Sequence, residues 1–265
     1  MQRSLEPPKD ELSAEVGGRR PSRAVGLVVL LVLGALVAAA AASPARIGSS
    51  PPVVVIDPGH DAKANLETEP IGPGSSERKI KDGGGTSGVV TGIPEAVFNL
   101  RVSLRLRRLL EDAGIEVVMT RTQTAGVSMG NVARARIANR ARADLFLRIH
   151  ADGSTDRSIH GTHTLVPAYR EGWTDDIYAA SRRAGRVVQA ALLDRLGSRD
   201  RGVHERADIT GFNWADVPAI LVEVGFMSNP DEDRLLSEPA YRRKAARGLC
   251  EGVLRFLRLP VSRCA

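Results

Sequence analysis

The chain is poor in the residues that build thiolate metal sites and base-stacking surfaces. Its 265 residues include only 2 cysteines, and aromatic side chains make up 4% of the sequence. Two cysteines cannot form a disulfide-rich scaffold or a zinc site with four thiolate ligands. A bound metal would therefore need mainly histidine and carboxylate ligands. The scarcity of aromatic side chains also argues against a surface that stacks nucleic-acid bases.

Apolar side chains and positive charge are present in quantity. Hydrophobic residues account for 43% of the chain, and 37 Lys+Arg against 31 Asp+Glu give a formal net charge of +6. This apolar content is sufficient for a sizeable core and excludes a disordered tail. The positive charge is compatible with nucleic acid, a membrane surface or an anionic polymer as the partner.

The first 43 residues predict export. An uncharged apolar run over residues 24–42 comes directly after Arg19, Arg20 and Arg23 of a polar segment, and small residues end the run. This length suits either a cleaved signal peptide or a retained membrane anchor, and the weakly apolar end favours the signal peptide. We therefore expect residues 44–265 to act outside the cytoplasmic membrane, in the periplasm, in the cell wall or anchored on the outer side. Nucleic acid is then not a partner, and membrane contact is limited to residues 24–42 if they are retained.

The rest of the sequence predicts one three-layer α/β domain over residues 52–260, between a linker at 44–51 and a tail at 261–265. Short apolar runs alternate with amphipathic helices, which favours a mostly parallel central sheet flanked by helices. Residues 61–92 are rich in glycine, proline and charge and are predicted to form a long loop. The predicted strands are 53–56, 115–119, 145–149, 161–166 and 219–224, and the predicted helices begin near 94, 131, 174 and 239. We expect a monomer.

Two histidines and a glutamate lie at the ends of predicted strands. His60 follows the first strand, His150 ends the third, and Glu223 ends the last. Ligands of open parallel sheets bind at the carboxyl ends of the strands, so these side chains are expected to share one crevice. A catalytic zinc takes three nitrogen or oxygen ligands and keeps a fourth position for water. The alternative for each histidine, taken alone, is a purely structural role without a bound metal.

The same chemistry needs two carboxylates, one as a metal ligand and one as a proton acceptor. Glu95 lies in the first turn of the helix after the long loop, where it is either a ligand or a partner of the helix dipole. Glu223 lies within an apolar strand. Burying a carboxylate there costs free energy unless the group is paired, bound to a metal or has a raised pKa. Composition alone does not assign the two roles.

The sequence resembles the zinc-dependent N-acetylmuramoyl-L-alanine amidases of the amidase-3 family over nearly all of residues 52–258. The matching motifs are Val-Ile-Asp-Pro-Gly-His at 55–60, Pro-Glu at 94–95, Met-Thr-Arg at 119–121, Ile-Ala-Asn at 137–139, Ala-Asp-Leu-Phe at 143–146, Ile-His-Ala-Asp at 149–152, Pro-Ala-Ile-Leu-Val-Glu-Val-Gly-Phe at 218–226 and Ser-Asn at 228–229.

The resemblance implies that His60, Glu95 and His150 bind one zinc ion and that Glu223 is the catalytic glutamate. It implies that zinc-activated water cleaves the amide between the lactyl group of N-acetylmuramic acid and L-alanine of the stem peptide. Peptidoglycan or muropeptides are then the substrate. The alternative is a non-catalytic cell-wall-binding or regulatory protein of the same fold. An unrelated zinc peptidase is disfavoured because no His-Glu-x-x-His motif occurs.

Two positions depart from the family pattern. Arg148 replaces a small polar residue, and either substrate contact or an outward orientation would explain it. Asp152 stands where asparagine is common. Neither change affects a ligand implied by the resemblance.

The remaining histidines and cysteines leave smaller questions open. His160 and His163 are three residues apart in a predicted strand, where they would face opposite sides, so we do not expect them to bind one metal. His204 lies in a polar segment and is expected at the surface or in a substrate groove. Cys250 and Cys264 either form a disulfide that ties down the C-terminus or remain a buried thiol and a free thiol.

Overall fold

A six-stranded sheet organises the residues that the computed structural model describes, which are 50–124, 126 and 128–264. The strands of this sheet, in spatial order, are β4 (Glu116–Met119), β1 (Val53–Pro58), β5 (Leu145–Asp152), β8 (Ala219–Phe226), β6 (Thr162–Pro167) and β7 (Asp200–Arg206). The first four run parallel, β6 is antiparallel to β8, and β7 is parallel to β6. The mostly parallel α/β domain predicted from the sequence is confirmed. The predicted export segment lies outside the described residues.

Helices cover both faces of the sheet. They are α1 (Glu95–Asp112), α2 (Asn131–Arg140), α3 (Tyr178–Leu196), α4 (Thr210–Asn213), α5 (Pro230–Ser237) and α6 (Pro239–Phe256), followed by a 3-10 turn at Val261–Cys264. Apolar side chains of α1, α3 and α6 form one buried cluster with the sheet, and those of α2 and α4 contribute to a second cluster on the opposite face. Among the described residues, no helix has the length and apolar character needed to cross a bilayer.

The apolar run of β1 is continuous because this strand is buried on both faces. Val54 and Ile56 belong to the cluster under α1, and Val55 belongs to the cluster under α2. Strands of parallel sheets covered by helices characteristically read as unbroken apolar runs. The strand then delivers the polar residues Asp57 and His60 to the carboxyl edge of the sheet.

The prediction of a long loop over residues 61–92 is wrong for much of that segment. Two strands within it, β2 (Asn65–Pro70) and β3 (Arg78–Asp82), form an antiparallel hairpin. Two side chains of the domain donate hydrogen bonds to backbone carbonyls beside its tip. Trp214 Nε1 donates to Pro70 O, and Asn213 Nδ2 donates to Ile71 O, both at 3.0 Å. The strand pattern is hidden in the sequence because only two strands pair and most of their side chains remain polar.

The hairpin also caps the N-terminus of α2. The Glu69 carboxylate accepts hydrogen bonds from the backbone amides of Asn131 at 2.7 Å and Val132 at 3.2 Å. The helix has no side-chain cap of its own, since Gly130 occupies the N-cap position. A carboxylate at this position satisfies free amides and complements the positive end of the helix dipole. The hairpin and α2 are therefore fixed to each other.

Cys250 on α6 and Cys264 in the terminal turn form a disulfide, which confirms one of the two alternatives for this pair. The bridge closes a short loop over a sequence separation of 14. Arg247 Nε donates to Cys264 O at 3.0 Å, so the turn is also hydrogen-bonded to the helix. Both sulfur-bearing residues are buried.

Replacing both cysteines with alanine is expected to lower the free energy of unfolding by about 2–4 kcal/mol, because the bridge restricts the unfolded chain over a loop of this length. Urea unfolding of the double variant against the oxidised wild type measures the change. Reduced wild type serves as the control and should shift in the same direction. Equal stability of all three proteins would contradict the expectation.

Candidate metal centre

Three side chains from separate elements converge at the carboxyl edge of the sheet. His60 follows β1, Glu95 begins α1, and His150 lies near the end of β5. Each offers one potential ligand atom, and these atoms lie within 4.8 Å of one another. His60 and His150, which were predicted to lie in one crevice, do lie together, and Glu95 lies with them. The three residues implied as zinc ligands by the resemblance are the ones the fold brings together.

The separations of the donor atoms suit a tetrahedral metal site. Glu95 Oε2 lies 3.4 Å from His60 Nε2, and Glu95 Oε1 lies 3.0 Å from His150 Nδ1. Ligands about 2.0–2.1 Å from a tetrahedral zinc are about 3.3 Å apart. The donor set of two imidazoles and one carboxylate is also one that zinc prefers in catalytic sites. These residues therefore fit a divalent metal of that kind.

His60 is held in an unusual backbone conformation. Its φ of 56° lies in the left-handed region, a conformation that costs a non-glycine residue free energy. Residues in such conformations are most frequent at functional sites. Its Nδ1 donates to the carboxylate of Asp82 at the end of β3, which leaves Nε2 facing Glu95. Burial lowers the pKa of His60, but the Asp82 hydrogen bond and the charges of Glu95 and Asp82 outweigh burial and raise it overall.

Asp82 is thus the carboxylate that orients a histidine, an arrangement that usually accompanies metal-binding imidazoles. Asp82→Asn is expected to weaken metal affinity about 10- to 100-fold while the fold is kept. Competition titration with a chromogenic chelator measures the affinity. Glu67→Gln is the matched control, because Glu67 lies in the same hairpin, is exposed and pairs only with Lys81. An Asp82 variant that binds metal as the control does would contradict this role.

Two glycines leave room for the cluster. A Cβ on Gly59 would lie 2.2 Å from His150 Nε2, and a Cβ on Gly85 would lie 2.7 Å from Glu95 Oε2. Gly85 also has a φ of +73°, which other residues rarely adopt. The close approach of backbone to the donor atoms explains why the Asp-Pro-Gly-His motif carries glycine directly before the histidine.

Glu95 is buried, and its carboxylate faces the two histidines rather than the exposed end of α1. Oε1 accepts from Asn99 Nδ2 at 3.1 Å, and Oε2 accepts from the Thr86 amide at 3.0 Å. Burial raises the pKa of Glu95, but the hydrogen bond and charge of His150 and the charge of His60 bring it down to about 2. The carboxylate is therefore ionised at neutral pH, as a metal ligand must be.

Glu223 lies beside this cluster on the neighbouring strand. It is paired in register with His150 between β8 and β5. A cavity of about 440 Å³ is lined by Glu223 and by all three residues of the cluster. Its Oε2 is buried and has no hydrogen-bond partner among the described residues. Burial, with the charges of Glu95 and Asp152, raises the pKa of Glu223 well above its usual value.

His163 is a neighbour of Glu223 that the sequence did not identify as part of the site. The antiparallel pairing of β6 with β8 places His163 opposite Glu223, and its Nε2 lies 3.5 Å from Asp152 Oδ2. Burial, with the charges of His204, Arg201 and Arg206, lowers the pKa of His163 to about 4. Only the register of an antiparallel strand could have revealed this, and the sequence does not give that register.

The expectation that His160 and His163 occupy opposite faces of one strand is wrong, because only His163 belongs to β6. His160 precedes β6 and is exposed, with its ring nitrogen bonded to the Ser158 carbonyl. The opposite faces of a strand are therefore not what separates the pair. His204 lies on the edge strand β7, is exposed, and has Nε2 2.6 Å from the carbonyl of Arg201.

Behind the cluster, Asp57 joins two arginines in a buried ion-pair network. Arg134 Nη1 donates to Asp57 Oδ1 at 2.5 Å, Arg148 Nε donates to Oδ2 at 2.8 Å, and Thr120 Oγ1 donates to Oδ1 at 2.6 Å. Asp57 is fully buried, and the two guanidinium groups are nearly so. Burial raises the pKa of Asp57, but the two arginines and the Thr120 hydrogen bond hold it far below its usual value.

This network decides against one of the two alternatives for Arg148. Arg148 does not face outward, because it is 4% exposed and its Nη2 donates to Asn131 Oδ1 at 2.7 Å. Arg134 on α2 is likewise buried, at 2% exposed. Both arginines balance the charge of Asp57, which the sequence motif gave no means of predicting.

Fold and site together define an α/β domain with a His-Glu-His cluster and a buried glutamate at the carboxyl edge of its sheet. The profile of the Amidase_3 family, described as N-acetylmuramoyl-L-alanine amidase, matches residues 54–255. The chain belongs to this family.

Relatives and solved structures agree with this membership. The N-acetylmuramoyl-L-alanine amidase Rv3717 of Mycobacterium tuberculosis (strain ATCC 25618 / H37Rv) is 31% identical over 242 residues, covering 86% of this chain and 97% of the relative. The N-acetylmuramoyl-L-alanine amidase AmiC of Neisseria meningitidis serogroup B is 27% identical, covering 79% of this chain and 54% of that longer relative. The crystal structure of the N-acetylmuramyl-L-alanine amidase Ami1 from Mycobacterium smegmatis matches with a TM-score of 0.71 at 29% identity, covering 78% of this chain and 96% of that one.

Proposed function

We propose that this protein is an N-acetylmuramoyl-L-alanine amidase that hydrolyses peptidoglycan in the cell envelope. The bond cleaved is the amide between the lactyl group of N-acetylmuramic acid and L-alanine of the stem peptide. The observation that carries the proposal is the placement of Glu223 in one cavity with His60, Glu95 and His150. Family membership supplies the substrate class.

His60, Glu95 and His150 would hold one zinc ion. When bound, zinc supplies a Lewis acid that lowers the pKa of water and polarises the amide carbonyl. The protein contributes the geometry of the site. Asp82 fixes the ring of His60, and Asn99 and the Thr86 amide hold the carboxylate of Glu95.

Glu223 is the proton carrier in this proposal. Its carboxylate accepts a proton from the attacking water as the oxygen–carbon bond forms. It then gives that proton to the amide nitrogen as the carbon–nitrogen bond breaks, so the products are the carboxylic acid of the lactyl group and the free amine of L-alanine, and the acid then loses its proton to solvent. Burial, with the charges of Glu95 and Asp152, raises the pKa of Glu223 above its usual value, which makes its carboxylate a stronger proton acceptor than an exposed glutamate.

The cavity has room and polarity for a peptide amide. Residues that follow β5 and β8 provide hydroxyl and backbone groups at its rim, including Ser154, Thr155 and Ser228. These groups can pair with the amides and carbonyls of a stem peptide. Gly153 and Thr155 at the rim are exposed, so a polymeric substrate can reach the cavity from solvent.

Digestion of purified peptidoglycan fragments tests the proposal. We expect stem peptides with a free L-alanine amino terminus, no product after chelation, and recovery when zinc is restored. Mass spectrometry of the fragments identifies the bond. Undiminished activity after complete metal removal would overturn the proposed chemistry. Cleavage within the stem peptide would indicate a peptidase, and absence of both product and bound metal would indicate a non-catalytic wall-binding protein.

A further inference from the structure

A basic groove lies between α1 and α6, away from the metal cluster. It has a volume of about 520 Å³ and shares no lining residue with the cavity of the cluster. Leu104, Leu109 and Pro239 are its apolar members. The other lining residues are all arginines: Arg101, Arg105, Arg108, Arg242, Arg243 and Arg247.

The arginines line both walls of the groove. Arg101, Arg105 and Arg108 recur at spacings of four and three along α1, so they lie on one face of that helix. Arg243 and Arg247 recur at a spacing of four along α6. The α1 row extends along about 10 Å of helix, given a rise of 1.5 Å per residue. The groove is therefore positively charged along the direction of α1.

The charges of the groove have no acidic partners within the described part of the chain. None of its six arginines lies within 4.0 Å of a carboxylate there, although ten pairs of a lysine or arginine with a carboxylate occur elsewhere in the same residues. The guanidinium of Arg242 donates to the carbonyls of Leu236 and Ser237, and that of Arg247 donates to the Cys264 carbonyl. Burial and the like charges of Arg101 and Arg105 lower the pKa of Arg242.

The six arginines of the groove outnumber the net positive charge of residues 44–265. That range contains 32 Lys+Arg and 27 Asp+Glu. Outside the groove, its positive and negative charges are therefore nearly equal in number. Several arginines without acidic partners in one concavity attract an anionic partner.

We propose that the groove between α1 and α6 binds a linear, phosphate-bearing polymer of the cell envelope. Guanidinium groups on two walls can grip successive phosphates from both sides, and arginine forms paired hydrogen bonds with phosphate oxygens. The apolar side chains of Leu104, Leu109 and Pro239 in the groove can contact the carbon backbone of such a polymer. This proposal is independent of the amidase activity.

The shape and lining of the groove favour this partner over two other anionic surfaces. A flat lipid bilayer would contact only the rims of a concave groove and would leave the central arginines unpaired. Single-stranded nucleic acid normally requires aromatic side chains on which its bases stack, and none lines this groove.

Binding of short-chain inorganic polyphosphate to the purified protein provides the test. The groove variant carries Arg101→Gln, Arg105→Gln and Arg243→Gln, three exposed side chains for which the structure shows no hydrogen bond. We expect its dissociation constant to rise about tenfold or more, because three charge-assisted contacts are lost. The salt dependence of binding should become shallower as fewer phosphates are neutralised.

A control variant removes the same number of charges elsewhere. It carries Arg140→Gln, Arg186→Gln and Arg199→Gln, which are exposed and likewise have no side-chain hydrogen bond in the structure. Its affinity for polyphosphate should stay within about twofold of wild type if net charge alone contributes little. Circular dichroism and thermal unfolding of both variants should match wild type.

Several results would overturn the proposal. Equal weakening in the two variants would show an effect of net charge, and absence of binding by wild type would show that no polyanion site exists. Poly-L-glutamate that binds as tightly as polyphosphate would remove the preference for phosphate. Groove-dependent binding to phosphatidylglycerol vesicles, with polyphosphate binding unaffected by the variant, would assign the groove to a membrane.

Discussion

Replacing Glu223 with glutamine is expected to lower kcat about 10²- to 10⁴-fold, the usual contribution of a positioned general acid–base group. Glutamine keeps the size of the side chain but cannot accept a proton. The His60–Glu95–His150 cluster is unchanged, so bound zinc, measured by elemental analysis, should equal that of wild type. Release of stem peptides from a soluble muropeptide measures the rate.

A matched substitution separates chemistry from folding. Glu205→Gln changes an exposed glutamate of β7 whose partners are Tyr178 and Arg182, and it should leave both rate and metal content near wild type. Wild-type activity in the Glu223 variant would contradict the assignment of the proton carrier. Parallel loss of zinc and activity would instead make Glu223 a contributor to metal binding.

Asp57→Asn is expected to lower the free energy of unfolding by about 3–5 kcal/mol, because two buried arginines would lose their counter-charge. Chemical denaturation of the variant measures this loss. Asp194→Asn is the control, since Asp194 pairs with Arg255 at 3.4 Å at an exposed position. An exposed pair contributes about 0–1 kcal/mol. A difference of less than about 1 kcal/mol between the two variants would show that the buried network is not stabilising.

The same carboxylate predicts how stability depends on pH. The folded-state pKa of Asp57 is depressed by Arg134 and Arg148, so protons bind more readily to the unfolded chain. The stabilisation is therefore fully present above the unfolded pKa of about 3.9 and is lost as pH falls below it. Wild type should lose more stability than Asp57→Asn between neutral pH and pH about 3. Parallel pH profiles would contradict this account.

The sequence predicts the parts of the fold that depend on local pattern. The buried strands β1, β5 and β8 each begin with three or more consecutive apolar residues, and the long helices α1 and α6 begin at or just after a proline. The edge strand β7 was missed, because its residues are mostly polar and only one side of the strand is paired. The hairpin β2–β3 was missed for the same reason.

The candidate site was predictable where chemistry coincides with strand ends. His60, His150 and Glu223 satisfy that condition, and Glu95 was singled out by its place after the long loop. Partners distant in sequence were not predictable. Asp82 belongs to the unpredicted hairpin, and the buried arginines around Asp57 look like the surface arginines that are frequent in this chain.

The hairpin gives the domain one segment whose turn and strands tolerate change differently. In the strands, Asp82 at the base bonds to His60 and Glu69 near the turn caps α2, so a residue inserted within the strands would shift the register of these supports. At its tip, residues 73–76 lie between the strands, and none of their side chains bonds to the rest of the domain. Length and sequence can therefore diverge at the tip, in nature or in a tagged variant, while the metal cluster keeps its dimensions.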